Sequence, residues 1–168
     1  MRSLFLVLMT GALLLAESAS GVKWQAPAAW KKSPDRPMRA ATYAAAAAAG
    51  DKEPGEVAVF YFGPGQGGGV QANIDRWIGQ FTTKSGAPKT AKSTVAGMSV
   101  TTVDLSGTYG AAAGPMSPTK VEKTGFRLLG AIVEAPQGAV FFKFTGPAKT
   151  VAANEAAFNG MIKAITKE

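Results

Sequence analysis

Glu56–Phe62 (EVAVFYF), Gly63–Gly69 (GPGQGGG) and Val70–Phe81 (VQANIDRWIGQF) follow one another without a break near the middle of a 168-residue chain. The first block is β-branched, aromatic and apolar at consecutive positions, which predicts a strand buried on both faces and central in a sheet. The second is a glycine-rich turn. In the third, Val70, Ile74, Trp77, Ile78 and Phe81 recur at helical spacing, with Gln71, Asp75, Arg76 and Gln80 opposite or at the edges. That pattern is an amphipathic helix whose apolar stripe needs a sheet to cover.

Working outward, Val22–Trp24 is a short strand, and a Pro-rich connector (Ser33–Pro37) leads to Arg39–Ala48. The alanines there favour helix by propensity. Thr42, Tyr43 and the Gly50-Asp51 turn favour strand, and strand is the reading taken. Thr82–Lys92 reads as a polar, basic loop. Thr94–Ala96 and Met98–Leu105 read as strand broken at Gly97, and Gly107–Gly125 as a long connector. Phe126–Glu134 and Ala139–Thr145 flank Ala135-Pro136-Gln137-Gly138, a hairpin signal. A last helix runs from Ala148 to Ile165, with Val151, Phe158, Met161, Ile162 and Ile165 on one face. The expected class is α+β: a mostly antiparallel sheet of about five to six strands with two amphipathic helices packed on it. No internal repeat and no dividing linker is visible.

The N-terminus carries a different message. Met1 and Arg2 precede Leu4–Leu15, a twelve-residue apolar run, and the small residues of Ala16–Ser20 follow. This is the layout of a secretory signal peptide. A membrane-spanning helix needs about 20 apolar residues. The expected organisation is a leader over 1–20, cleaved after Ser18 or Ser20, and one globular domain over 21–168. The expected location is periplasmic or extracellular, with no transmembrane anchor after cleavage.

The chain has no His and no Cys. Ser-His-Asp triads, Cys-His pairs, imidazole and thiolate metal sites and disulfides are thereby excluded. A hydrophobic fraction of 46% against 17% charged argues for a packed core rather than disorder. No catalytic residue, cofactor or metal site is assigned. Gly63-x-Gly65-x-x-Gly68 matches a dinucleotide fingerprint, but Ala87–Gly97 holds no acidic residue where the ribose would need one. The glycines are read as a structural turn, with Gly67, Gly68, Gly69 and Val70 as a weak anion-site candidate at the helix N-terminus. Ser117-x-x-Lys120 and Lys123-Thr124-Gly125, with Lys84-Ser85-Gly86 upstream, imitate penicillin-binding-protein elements. Pro115 and Pro118 flank the serine and forbid the helical turn that chemistry needs. Asp51, Glu53 and Glu56 are near neighbours in a Pro/Gly turn and are read as a solvated loop.

Lys+Arg exceed Asp+Glu to give a net charge of +7, spread along the chain rather than interleaved with exposed aromatics, so no nucleic-acid partner is expected. Weak contact with anionic envelope components is the plainer use of such charge.

Several runs are similar to a family of exported bacterial proteins to which no function is assigned. They are Trp24-x-x-Pro27-x-x-Trp30, Val59–Gly63 with Gly65-Gln66-Gly67-Gly68, Asn73–Ile78 with Gln80-Phe81, and Lys143–Pro147. The order of elements also resembles the PsbP-like αβα sandwich of photosystem II extrinsic subunits, a likeness of fold that carries no function by itself. The functional expectation is an exported, soluble, non-catalytic domain, binding or accessory in the cell envelope. The alternatives are a carboxylate- or Ser/Lys-dependent hydrolase and an envelope-association protein using its basic surface.

Overall fold

The computed structural model describes residues 16–112 and 119–168. The apolar run Leu4–Leu15 and Ser117 lie outside the described residues. In chain order the elements are β1 (Glu17–Ala19), β2 (Val22–Trp24), β3 (Lys31–Lys32), β4 (Arg39–Ala45), β5 (Gly55–Tyr61), α1 (Val70–Ile78), β6 (Phe81–Lys84), β7 (Lys89–Val95), β8 (Met98–Ala112), β9 (Lys120–Ala135), β10 (Gly138–Pro147), α2 (Ala148–Lys163) and β11 (Thr166–Lys167).

The expected sheet of five to six strands with two helices on it is overturned. Eleven strands are described, and the helices are short, of 9 and 16 residues. Eight strands form one sheet in the order β3-β4-β5-β10-β9-β8-β6, with β7 also on β8, and β1-β2-β11 form a second. Every pairing is antiparallel. The largest surplus lies in the stretch read as a connector. Ser106–Ala112 of β8 pairs with Lys120–Arg127 of β9. These segments lack apolar alternation, so their strand character comes from the backbone ladder, which no periodicity reports. Phe81 likewise leaves the helix after Gly79 and opens β6 with its ring buried.

The core divides between the two faces of the large sheet. On one, Val151, Phe158, Met161 and Ile162 of α2 pack with Val57, Val59, Phe142, Phe144, Leu129, Ala131 and Val133. On the other, Ile74 and Trp77 of α1 pack with Phe141, Leu128, Ile132 and Val103. Trp77 lies so close over β9 that a Cβ on Gly130 would sit 2.4 Å from its indole ring. Glycine at 130 is what lets the ring rest on the strand. The small sheet brings distant segments together: Thr166 pairs with Lys23, and the Glu168 amide donates to the Gly21 carbonyl at 3.0 Å. Glu17–Ala19, within the stretch read as leader and exit, form β1 against Val22–Trp24 through the Ser20-Gly21 turn. Among the described residues no helix is long and apolar enough to cross a membrane.

Candidate functional site

Between β5 and α1 the chain must reverse within a few residues, and the backbone shows how. Gly63, Gly65, Gly67 and Gly68 have φ of 101°, 67°, 91° and 79°, the left-handed region closed to most L-residues. At Gly67 a Cβ would also stand 2.9 Å from ring carbons of Phe62 and Phe141. Asn73, buried on α1, reaches back and donates from Nδ2 to the carbonyls of Gly67 (2.8 Å) and Gly69 (2.9 Å). Its Oδ1 accepts from Arg76 Nη1 at 3.1 Å.

Gly67 and Gly68 line a cavity of about 390 Å³ together with Phe62, Gln66 and Arg76. Gly69 is the N-cap, no side chain caps α1, and its first turn carries no acid. Among the described residues the opening N–H groups of the helix have no side-chain acceptor. Of the sequence candidates, Gly67 and Gly68 line this cavity, while Gly69 and Val70 follow as the N-cap and first residue of α1. Arg76 is the residue the sequence reading left out, having placed it on the polar side of the helix. The Asn73-x-x-Arg76 spacing, one helical turn, is the signal that could have found it. An exposed guanidinium, a side-chain amide and an aromatic wall suit a small planar anion.

The carboxylates singled out in the sequence, and Asp104, are engaged elsewhere. Arg127 makes a two-pronged contact with Asp104, Nε to Oδ1 at 2.9 Å and Nη2 to Oδ2 at 2.8 Å, and its Nη1 donates to Glu155 on α2 at 2.8 Å. The hydrogen bonds it donates to Asp104, opposed by burial and aided by Glu155, hold this guanidinium above its ordinary pKa. It floors a second cavity of about 610 Å³, rimmed by Ser85, Lys89, Ser106 and Ala148. Asp51 accepts from the Thr150 backbone N–H (2.9 Å) and hydroxyl (2.6 Å), closing the start of α2. Glu56 pairs with Arg36 and Arg39 at 3.2 and 2.9 Å, and Glu53 pairs with Lys123. The turn read as solvated is thus a set of tethers. Lys120 and Lys123-Thr124-Gly125 lie in β9, and Lys84 ends β6. Among the described residues no group of three or more His, Cys, Asp or Glu side chains is placed to hold a metal.

Sequence reasoning singled out no chemistry at Lys143. It sits mid-β10 on the α1 face, between Phe141 and Thr145, and donates to Gln80 Oε1 at 2.6 Å and to the Tyr109 hydroxyl at 3.1 Å. Burial lowers its pKa to about 8, with Glu56 opposing and Arg39 assisting. Burial raises that of Tyr109. The visible signal is one lysine inside the apolar run Val140–Phe144.

The sequence matches no protein-family model and no curated protein. Solved structures share its architecture, two of them as follows. One is the protein of unknown function PA94 from Pseudomonas aeruginosa, at 11% identity and TM-score 0.52, over 92% of this chain and 96% of that one. The other is the cyanobacterial PsbP (CyanoP) of Synechocystis sp. PCC 6803, at 8% identity and TM-score 0.54, over 94% and 96%. The PsbP-like resemblance holds at the level of fold.

Proposed function

We propose that this protein is an exported, non-catalytic domain that works by binding, in an accessory role in the cell envelope. One observation carries the reading: the charged groups best placed for chemistry serve as structural tethers. Arg127 is held by Asp104 and Glu155, Asp51 caps α2, and Lys123 pairs with Glu53. A carboxylate working as general acid needs a raised pKa and a free face toward substrate. Asp104 instead gives both oxygens to one guanidinium.

The signal-peptide layout supports export, and the small sheet supplies the detail to test. Processing after Ser18 divides β1, and processing after Ser20 removes it while leaving β2 and β11 paired. Intact mass of the protein outside the cytoplasm should give a start at Ala19 or Gly21. A soluble form retaining Met1–Leu15 would overturn export. Binding is read separately by retention of the purified protein on envelope extract. Turnover of ester or glycoside probes that disappears in Asp104→Asn would replace the binding role with a hydrolytic one.

A further inference from the structure

The sheet ends on one side at β6 and β7, which lie one after the other along the same flank of β8. β7 is seven residues long and exposed from Lys89 to Thr94, so neither helix covers it on either face. Its register runs from Lys89 opposite Asp104 to Val95 opposite Met98, closed by Ala96-Gly97 with φ of 48° and 72°. A two-residue turn of this type makes Val95–Met98 a hydrogen-bonded pair. Alternation then turns the N–H and C=O groups of Lys89, Ala91, Ser93 and Val95 toward β8. Those of Thr90, Lys92 and Thr94 face away, a row of groups without a strand partner among the described residues and able to template another strand.

We propose that this edge takes up an extended acidic segment of a partner protein as an added strand. The ladder supplies the affinity and the charge chooses the occupant. Lys84, Lys89 and Lys92 stand along β6 and β7, no Asp or Glu lies anywhere in Phe81–Val95, and these three lysines make no ion pair among the described residues. Edge lysines also guard against self-association. An antiparallel second copy centred on β7 would oppose Lys92 to Lys92, and like charges placed directly opposite are destabilising. A strand with glutamates at the facing positions turns the same charges into cross-strand pairs. The opposite edge, β3, has only two residues and offers no comparable ladder.

The inference rests on the reading of the protein as a binding domain and is indifferent to export, because its test uses purified protein. A short synthetic peptide alternating valine with glutamate is titrated into the ¹⁵N-labelled protein, beside a control alternating valine with lysine. The acidic peptide should shift the amides of Thr90, Lys92 and Thr94 and slow their hydrogen exchange, with several-fold weaker binding for the basic peptide, at raised salt, or in Lys92→Glu. Lys92→Pro removes an outward N–H together with the Lys92 charge, touches no bond to β8, and should abolish binding while the remaining spectrum stays in place. If that variant loses the hairpin, Lys92→Glu carries the test. Equal binding of both peptides, shifts centred elsewhere, or no shifts at millimolar peptide overturns the proposal. So does β7 broadening when the protein alone is concentrated, which would make a second copy the occupant.

Discussion

Under α2 the large sheet presents Val57, Val59, Ala131, Val133, Phe142 and Phe144, each fully buried. The polar atoms on that side are satisfied within the layer: Trp24 Nε1 donates to the Tyr43 hydroxyl at 3.0 Å and Trp30 Nε1 to Asn154 at 2.9 Å. Burial pushes Tyr43 up to about 12. Under α1 the same strands offer Phe141, Leu128 and Ile132, then Lys143 with Gln80 and Tyr109, the left-handed glycine turn and the half-buried Phe60 and Phe62. One face is built for stability. The other trades part of its apolar filling for a buried amine and an open cavity, which is where a binding domain can vary without unfolding.

The bluntest way to break this contrast is to empty each face in turn. Phe142→Ala and Trp77→Ala should each cost roughly 3–5 kcal/mol of unfolding free energy, read from denaturant midpoints. If Trp77→Ala kept its stability and lost binding instead, the α1 face would not be a core at all. Gly130→Ala sharpens the point. Alone it should cost about 1–3 kcal/mol, because the new methyl group meets the Trp77 ring. Made in the Trp77→Ala background, it should cost far less, a non-additivity that a double-mutant cycle measures directly.

Next in size is the glycine turn. Gly68→Ala forces φ of 79° on a side chain and should cost about 1–2 kcal/mol, whether or not phosphate is present. A loss that vanished in phosphate would make the turn an anion site first and a bend second. The smallest effect is a slope. In the folded protein Lys143 releases its proton near pH 8, against an ordinary value of 10.5. Between those values the unfolded chain binds more protons. Stability should therefore rise with pH from about 8 to about 10, by less than about 1.4 kcal/mol per unit, and Lys143→Met should flatten the rise. Above pH 10 the raised pKa of Tyr109 and Tyr43 works the other way. A flat profile in the parent protein would mean that the amine is solvated.

How far the sequence foretells this depends on what each element is made of. α1 and α2 were legible because their apolar residues recur at 3.6, and β5 because it is apolar on both sides; their observed bounds differ from the reading by a few residues. The hairpin at Pro136-Gln137 was legible from its turn chemistry. By contrast β6, the first half of β7 and the outer halves of β8 and β9 are rich in threonine, glycine and lysine and carry only scattered apolar residues. They are held by backbone ladders, which the apolar periodicity of a local window does not report. The site divides in the same way. The glycines announced a turn. Arg76 and Lys143 act through tertiary placement, by reaching back over the turn in one case and by burial under Tyr109 in the other.

The small sheet has a consequence in the order of synthesis. β2 is central in it, between β1 and β11, and it buries Val22 and Trp24. β2 is translated early, whereas Thr166 and Lys167, its partners on one flank, follow only after every strand of the large sheet and both helices. Until they arrive, that flank of β2 keeps its backbone groups unpaired, and Ile165, which packs into the same core, is missing. A chain stopped short of β11 is thus exposed at one of its earliest strands, on the edge that chaperones and proteases read.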